Sequence, residues 1–230
     1  MNGRLTLIRH GQSIWNEQNR FTGWIDVSLS RQGVEEAERA AALLEDQKFD
    51  VAFASALLRA QDTLYEILKR NRFCYQYLRV HETGSEWYEH FHPMEGDKAE
   101  LKIYVSEKLN ERYYGDLQGL NKDWARQHYG AEQVHLWRRS YDIAPPGGES
   151  LAMTARRTLP YFREKVVPRI QAGEHVLLSA HGNSLRAIVM EIERLSPEEI
   201  VARELATGTP LIYRFDQEMR ILDKSILEPS

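Results

Sequence analysis

The sequence predicts an α/β fold with a mostly parallel central sheet and helices on both faces. Short apolar runs alternate with segments of helical periodicity, so that residues 5–9 and 49–54 predict strands and residues 31–46 predict the helix between them. The same order returns near the end, where residues 175–180 predict a strand that is followed by a helical segment through residue 190. Alternation of this kind is typical of a parallel sheet that is covered on both sides.

The first long helix has a start signal and an apolar face. Ser30 is a candidate N-cap, because a serine hydroxyl can accept a hydrogen bond from a free N–H group of the first turn. Helical spacing then places Val34, Ala37, Ala41 and Leu44 on one side. We therefore expect this side to face the sheet.

A second helix start is encoded near the C-terminal end. Ser196 is followed by Pro197 at the first helical position and by Glu199 three residues after the serine, which is the pattern of a capping box. The apolar run at residues 210–215 predicts the last strand, which would complete the sheet.

The periodicity is lost in the middle of the chain. Residues 73–105 mix aromatic, histidine and acidic side chains, and we interpret this stretch as an insertion or lid within one catalytic domain that spans residues 1–230. His90, His92, Glu95 and Asp97 are all of ligand type, so a metal site in this stretch is an alternative; loops of this composition are more often solvated polar segments, and we predict no metal.

Composition and charge exclude several classes of protein. The formal net charge of −4 does not favour binding to nucleic acid or to an anionic membrane, and no apolar run is long enough for a membrane span. The sequence has a single cysteine, Cys74, which cannot form an intrachain disulfide and fits a reducing compartment. We therefore expect a cytoplasmic protein in which an anionic substrate would need a local basic pocket.

The strongest local signal is a pair of similar motifs. Residues 9–13 (Arg-His-Gly-Gln-Ser) and residues 180–184 (Ala-His-Gly-Asn-Ser) each follow a predicted buried strand. His10 and His181 therefore lie at carboxyl ends of strands, the edge at which open parallel sheets bind ligands. Free N–H groups at neighbouring helix starts favour an anion there, and phosphate is the natural guest. A single strand-end histidine is more often structural, but two in matching contexts favour a site.

Basic side chains supply the next signal. Arg9 adjoins the first histidine, and Arg59 lies near the start of the helix that follows the second strand, at the same edge of the sheet. The planar guanidinium fork of arginine fits phosphate oxygens. Arg138 and Arg139 alone would more often belong to a solvated basic face. A carboxylate near the phosphate could move the substrate's proton, yet spacing alone does not distinguish Glu111 from the other acidic residues.

A longer ordered set of motifs gives this information. The sequence resembles the 2,3-bisphosphoglycerate-dependent phosphoglycerate mutases of the histidine phosphatase superfamily over nearly the whole chain except about residues 73–105. The resemblance is carried by Arg9-His10-Gly11 with Asn16, Phe21-Thr22-Gly23-Trp24, Leu109-Asn110-Glu111-Arg112, Leu117-Gln118-Gly119-Leu120-Asn121-Lys122, Trp137-Arg138-Arg139 and His181-Gly182-Asn183-Ser184-Leu185-Arg186. Arg-His-Gly alone is weakly specific, whereas the ordered set is strongly so.

The resemblance implies a reaction and assigns roles. Phosphorylated His10 would donate to a monophosphoglycerate, the resulting 2,3-bisphosphoglycerate would reorient, and its other phosphoryl group would return to His10. It implies 2,3-bisphosphoglycerate as the priming phosphoryl donor, and no metal. The implied catalytic residues are His10, Glu111 as general acid/base, His181 as stabiliser of charge on the transferring phosphoryl group, and Arg9 and Arg59, which hold that group. The implied substrate-binding residues are Ser13, Asn16, Thr22, Gly23, Arg112, Tyr113, Tyr114, Lys122, Arg138, Arg139, Gly182 and Asn183.

Two other functions remain open at this point. A bisphosphoglycerate mutase/phosphatase, or another histidine phosphatase, would share the phosphohistidine but could use water as the acceptor. A non-catalytic binding protein would use the aromatic-rich stretch as its surface, and it is disfavoured because every proposed chemical group is present. The expected partners are small-molecule phosphoglycerates, with no nucleic acid and no membrane, and a homodimer or higher homo-oligomer is expected by analogy only.

Overall fold

Seven strands pair into one sheet in the computed structural model, which describes residues 2–81, 86 and 100–228. The order across the sheet is β3-β4-β2-β5-β1-β6-β7. The strands are β1 (Gly3–Arg9), β2 (Val51–Ser55), β3 (Tyr77–Val80), β4 (Leu101–Ser106), β5 (His175–Ala180), β6 (Pro210–Phe215) and β7 (Ile221–Ile226).

Most strand pairs of this sheet are parallel, as predicted. The pairs β3–β4, β4–β2, β2–β5 and β5–β1 are parallel, whereas β1–β6 and β6–β7 are antiparallel. The strand predicted at residues 175–180 has the predicted ends. The strand predicted at residues 210–215 is confirmed as β6 with the predicted ends, but it is not the last strand, because β7 follows. Its sequence alternates too little to be recognised, since almost all of its side chains are exposed.

Helices cover both faces of the sheet. The helices of the described residues are α1 (Ile14–Glu17), α2 (Arg31–Leu43), α3 (Leu58–Arg70), α4 (Lys122–Tyr129), α5 (Ala131–Arg139), α6 (Leu151–Tyr161), α7 (Val167–Gln171), α8 (Gly182–Glu193) and α9 (Pro197–Ala202), with short 3-10 turns at Glu107–Leu109 and Gly115–Leu117 and a π-helical segment at Phe162–Val166 between α6 and α7.

Strand alternation divides the core into two layers. In β5, Val176 and Leu178 pack with residues of α6 and α8, whereas Leu177 packs with residues of α2 and α3 on the opposite face. Successive side chains of a strand point to opposite sides, so a strand such as β5, which is buried at every position, needs cover on both faces. The predicted α/β class with helices on both faces is confirmed.

The structure corrects the predicted buried face of α2. Ser30 is the N-cap and its side chain accepts from the Gly33 N–H group, as expected, but the helix ends at Leu43 rather than at residue 46. Val34 is 38% exposed. Gly33 heads the buried face instead, because a Cβ atom there would lie 1.9 Å from the Gln12 carbonyl oxygen. The loop after β1 comes so close to the helix that only glycine fits.

The second helix start follows the prediction. The Ser196 hydroxyl accepts from the Glu199 N–H group at 3.2 Å, and the Glu199 carboxylate accepts from the Ser196 N–H group at 2.7 Å. Together with Pro197 in the first turn, this capping box begins α9.

The stretch predicted as an insertion contributes to the sheet. Strand β4 lies between β3 and β2, and β3 and all but the last residue of β4 fall within residues 73–105. Their mixed sequences hide this, because β3 lies at the edge of the sheet with half-exposed side chains. Residues 82–85 and 87–99 lie outside the described residues. A single domain over residues 1–230 stays a prediction. None of the described helices is both long and apolar enough to span a membrane.

His175 makes folding stability depend on pH. Burial, and then the charge of Arg4, lower the pKa of this imidazole from 6.5 to about 4. The unfolded chain therefore binds a proton between these values and the folded chain does not, so stability is lost as the pH falls from 6.5 to about 4. Over this pH range we expect the free energy of unfolding of His175→Gln, measured with urea, to fall by about 3 kcal/mol less than that of the wild type. His135→Gln, at an exposed position, is the control and should keep the wild-type pH dependence. An unchanged slope in His175→Gln would contradict the assignment.

Candidate active site

Two neighbouring parallel strands bring the two predicted histidines together. Strands β1 and β5 pair in register, with Arg9 opposite Ala180. The N–H group of His10 continues the pairing and donates to the Ala180 carbonyl at 3.0 Å. The imidazole rings of His10 and His181 therefore lie with their centroids 4.9 Å apart, and both side chains are buried.

The His10 ring presents one nitrogen as a nucleophile. Its Nδ1–H group donates to the Gly11 carbonyl at 2.6 Å, so the lone pair is on Nε2. Arg59 Nε lies 3.3 Å from this Nε2. Burial, followed by the charges of Arg59 and Arg9, holds the pKa of His10 well below 6.5. The imidazole is consequently neutral near pH 7, which is the form that can attack phosphorus.

Two helices hold the loop that carries His10. The Gly11 N–H group donates to Thr63 Oγ1 of α3 at 3.1 Å, and the Gln12 N–H group donates to Glu36 Oε2 of α2 at 2.8 Å. A Cβ atom at Gly11 would lie 2.2 Å from the Gly33 carbonyl oxygen. Glycine is therefore required next to the nucleophile because the loop packs directly on the backbone of α2.

Arg59 joins the nucleophile to the loop above it. Besides its contact with His10, its Nη1 donates to the Ile25 carbonyl at 3.0 Å and its Nη2 donates to the Gly23 carbonyl at 2.8 Å. The side chain is only 1% exposed, and burial lowers the pKa of Arg59 to about 10. It is still protonated near pH 7, so it brings a fixed positive charge to the nucleophilic nitrogen.

Glu111 is oriented through one of its two carboxylate oxygens. Oε1 accepts from the Arg112 N–H group at 2.7 Å, from the Asn183 N–H group at 3.2 Å and from Asn183 Nδ2 at 2.8 Å. Oε2 makes no hydrogen bond to the described residues, and a Cβ atom at Gly182 would lie 3.7 Å from it. The carboxylate is thus fixed in place while one oxygen stays available for proton transfer.

Buried polar atoms without partners concentrate at this site. Within the described residues these atoms are Arg9 Nε, Thr22 Oγ1, Arg112 Nε, His181 Nδ1 and Glu174 Oε2, and only the last is remote from the two histidines. An unsatisfied buried polar group costs about 1–3 kcal/mol. A ligand rich in acceptor oxygens would satisfy the donors among them, which is what a phosphate group offers.

Further cations crowd the outer part of the same cavity. Arg112 Nη2 donates to the Tyr114 hydroxyl and to the Arg138 carbonyl, each at 3.2 Å. Burial would raise the pKa of Tyr114, but the nearby Arg112 outweighs it and the net direction is downward. Burial and the charge of Arg138 lower the pKa of Lys122. In the part of the chain that the structure describes, Arg112, Lys122 and Arg138 form no ion pair with an acidic side chain, so a second anion would be attracted here.

One acidic side chain lies at the rim of this cavity. Glu204 pairs with Arg139 Nη2 at 2.6 Å and with Arg186 Nη2 at 3.4 Å. Its side chain is 65% exposed, so these pairs are screened by solvent and contribute little to stability. Arg139 is therefore already engaged by a carboxylate.

Sequence comparison identifies the family of the chain that forms this cavity. The sequence matches the model of the histidine phosphatase superfamily (branch 1) over residues 5–98 and 88–225. The chain belongs to this superfamily. It is 65% identical over 224 residues to the 2,3-bisphosphoglycerate-dependent phosphoglycerate mutase of Pseudoalteromonas atlantica. The aligned region covers 97% of this chain and 99% of that relative. It is 50% identical to the phosphoglycerate mutase of Schizosaccharomyces pombe, with 97% and 95% covered.

Two solved structures share the fold of this chain. A mycobacterial glucosyl-3-phosphoglycerate phosphatase superposes with a TM-score of 0.75 at 25% identity over the whole of both chains. Bacillus stearothermophilus YhfR superposes with a TM-score of 0.73 at 23% identity, with 95% of this chain and 93% of that chain covered. The second similarity concerns the fold alone.

Most residues predicted for the histidine phosphatase site line a single cavity. The predicted residues on its wall are Arg9, His10, Asn16, Thr22, Gly23, Arg59, Glu111, Arg112, Tyr114, Lys122, Arg138, Arg139, Gly182 and Asn183. His181 is not among the wall residues, and its ring lies against the ring of His10, which is one of them. Ser13 is buried as the N-cap of α1, and Tyr113 is 37% exposed with its ring edge-on to Trp24.

Four further residues line the cavity that sequence reasoning missed. Arg20 and Phe21 adjoin the predicted Thr22, and Arg186 follows Asn183 by one helical turn. The i, i+3 spacing could have identified Arg186, because residues three apart share a helix face. Glu204 comes from the loop after α9, and no sequence signal links it to the histidines.

The metal alternative cannot be placed in this site. His90, His92, Glu95 and Asp97 lie outside the described residues. Among residues 2–81, 86 and 100–228, no three His, Cys, Asp or Glu side chains are grouped as metal ligands would be.

Arg59 should be essential for binding a phosphoryl group. Arg59→Lys keeps the charge but loses the planar fork that reaches His10 and the two loop carbonyls. We expect orthovanadate binding, measured by calorimetry, to weaken by about ten- to a hundredfold, since a charge-assisted hydrogen bond contributes about 1.5–3 kcal/mol. Arg163→Lys is the matched control, because Arg163 is 58% exposed and binds Glu191. Equal affinity in the two variants would contradict this role.

Proposed function

We propose that this enzyme interconverts 2-phosphoglycerate and 3-phosphoglycerate through a phosphohistidine at His10 that 2,3-bisphosphoglycerate primes. The observation that carries the proposal is the second group of cations, Arg112, Lys122 and Arg138, in the same cavity as the histidine pair. A ligand with two separated anionic ends matches this arrangement. The bisphosphoglycerate-dependent mutase named above, at 65% identity, supports the same substrate class.

The residues present fit the priming donor. Arg9 Nε, Arg112 Nε and the Thr22 hydroxyl are buried donors without partners, and they can bind the oxygens of two phosphate groups. Bound there, 2,3-bisphosphoglycerate supplies the phosphoryl group that loads His10. The lowered pKa of Lys122, caused by burial and by Arg138, indicates that an anion beside it would be stabilised.

In the proposed reaction each chemical step belongs to a particular atom. Nε2 of His10 attacks phosphorus, and the bond from phosphorus to the substrate oxygen breaks. Protonated Glu111 gives its proton to this leaving oxygen, which becomes a hydroxyl, and in the return step Glu111 takes a proton from the attacking hydroxyl, acting through Oε2 while Oε1 stays bound to Asn183. Proton transfer by a positioned carboxylate suits a neutral sugar-acid hydroxyl.

Positively charged side chains stabilise the transferring phosphoryl group. The transferring phosphoryl group has a loose transition state, so its charge must be neutralised and its position fixed. Arg59 is held at the nucleophile by two backbone carbonyls, and Arg9 is held by the Leu205 carbonyl at 2.8 Å. Because these guanidinium groups are already oriented, they need no reorganisation when the charge develops.

A phosphatase is the second candidate function. It would use the same phosphohistidine and pass the phosphoryl group to water, as in a bisphosphoglycerate phosphatase. The phosphatase structure named above supports this candidate, since its chain aligns over its whole length at 25% identity. The outer cations favour the mutase, because hydrolysis of one phosphate has less need for a second anion site.

Composition supports the remaining proposals. A single cysteine and a net charge of −4 fit a cytoplasmic enzyme of small anionic substrates. A homodimer or higher homo-oligomer is proposed by analogy with the family.

Trapping the phosphoenzyme tests the proposed function. After incubation with 2,3-bisphosphoglycerate and digestion, we expect acid-labile phosphate on the peptide that contains His10, and none in His10→Asn. With 3-phosphoglycerate as substrate, isomerisation should exceed phosphate release. Label on His181 would overturn the assignment of the nucleophile, and dominant phosphate release would make the chain a phosphatase.

Glu111 should affect turnover more than binding. Glu111→Gln keeps the shape and one oxygen but cannot transfer a proton. We expect kcat for isomerisation to fall by about a hundred- to ten-thousandfold with a small change in KM. Glu107→Gln is the control, because Glu107 is 58% exposed and lies outside the cavity wall. A variant with near wild-type kcat would exclude Glu111 as general acid/base.

A further inference from the structure

A buried polar chain holds the second histidine from behind. His181 Nε2 lies 2.7 Å from the Ser55 hydroxyl oxygen at the end of β2, and this hydroxyl lies 2.8 Å from Asn110 Oδ1. Ser55 and His181 are fully buried, and Asn110 is 4% exposed. Neither Ser55 nor Asn110 lines the cavity, and their hydrogen bonds connect them to the site through His181.

The protons of this chain can be assigned from its neighbours. Asn110 Oδ1 also accepts from the Ala56 N–H group at 3.1 Å, which identifies this atom as the amide oxygen, because a backbone N–H can only donate. The single Ser55 proton therefore goes to Asn110. The Ser55 oxygen accepts from the Leu57 N–H group at 3.1 Å and has one lone pair left for His181. His181 Nε2 must then be the donor.

We propose that Ser55 and Asn110 are positioning residues that keep a proton on Nε2 of His181, so that Nδ1 is the nitrogen that accepts a proton when a phosphoryl group binds. This inference rests on the proposed phosphoryl transfer at His10 but not on the identity of the acceptor. His181 Nδ1 is buried and has no partner among the described residues, so it is the ring atom left for a ligand.

The surroundings of His181 keep this nitrogen unprotonated before a ligand binds. Burial, followed by the charges of Arg59, His10, Arg9 and Arg157, holds the pKa of His181 well below 6.5. None of these groups is acidic, so an imidazolium has no counter-charge from them. A phosphate monoanion supplies both the counter-charge and the proton, since the O–H bond of its P–OH group breaks, an N–H bond forms at Nδ1, and the phosphoryl group becomes a dianion. No other reactant is needed.

The arrangement makes His181 a conditional cation. The ring is neutral in the absence of phosphate, which avoids one more buried positive charge beside Arg9 and Arg59. It becomes a charged donor at Nδ1 only when a phosphoryl group is present. If the proton were on Nδ1 from the start, Nε2 and Ser55 would face each other with two lone pairs, because the Ser55 proton is used by Asn110.

The tautomer can be measured in the intact wild-type protein. With ¹⁵N-labelled histidine and ligand-free enzyme near neutral pH, we expect His181 to show a protonated Nε2 and an unprotonated Nδ1, and we expect both nitrogens to be protonated when orthovanadate is added. A protonated Nδ1 in the ligand-free protein would overturn the proposal. This measurement needs no phosphoglycerate, so it stays decisive if the proposed mutase activity proves wrong.

Variants test whether the chain matters for the reaction. Ser55→Ala should remove the preference for the Nε2–H form and slow phosphorylation of His10 by 2,3-bisphosphoglycerate by about ten- to a hundredfold, the size of effect typical of outer partners of a reactive group. KM should change little, and Ser55→Thr, which keeps a hydroxyl, should recover the tautomer and part of the rate.

Ser179→Ala is the matched control for these variants. Ser179 is a buried serine of the neighbouring strand β5, and its hydroxyl donates to the Ala60 carbonyl at 2.8 Å, outside the histidine chain. It should keep the His181 tautomer and the phosphorylation rate within about twofold, since it loses only a structural hydrogen bond. An equal loss of rate in Ser55→Ala and Ser179→Ala, or an unchanged His181 tautomer in Ser55→Ala, would overturn the proposal.

Discussion

The in-register pairing of β1 with β5 is the constraint on which the site depends. It sets Arg9 opposite Ala180, and the residue that follows each of these strand ends is a histidine. Two side chains that are 171 positions apart in the sequence thereby meet within one buried contact. A slip of one residue would turn every side chain of β1 to the other face of the sheet. The two apolar layers that fill these faces therefore also fix the distance between the histidines.

Burial of positive charge is the second feature of the site, and it has a cost. Arg59 is almost completely buried, and its pKa is lowered to about 10 by burial. Arg9 Nε and Arg112 Nε are buried donors without partners. Each of these groups destabilises the ligand-free fold, and a phosphate group relieves the cost when it binds. The affinity of this site for anions thus has its physical origin in buried, unneutralised positive charge.

The sequence predicted elements with strong local signals better than elements that depend on distant partners. The strand at residues 175–180 has an apolar run at residues 176–178 and is buried at every position, and it was predicted with its observed ends. Strand β7 is exposed and was missed, and Val34 was misassigned because the close approach of a distant loop selects Gly33 instead. In the site, His10 follows from a strand-end rule, whereas Glu204 belongs to a loop that only the folded chain brings to the cavity. Roles such as that of Glu111 required the family resemblance.

The central claim is that Nε2 of His10 forms the bond to phosphorus because Nδ1 is held by the Gly11 carbonyl. The most direct test is ¹⁵N–³¹P correlation by NMR on the phosphorylated enzyme with labelled histidine. We expect the phosphorus to couple to Nε2 of His10, with Nδ1 still protonated. Coupling to Nδ1 of His10, or to a nitrogen of any other residue, would contradict the account.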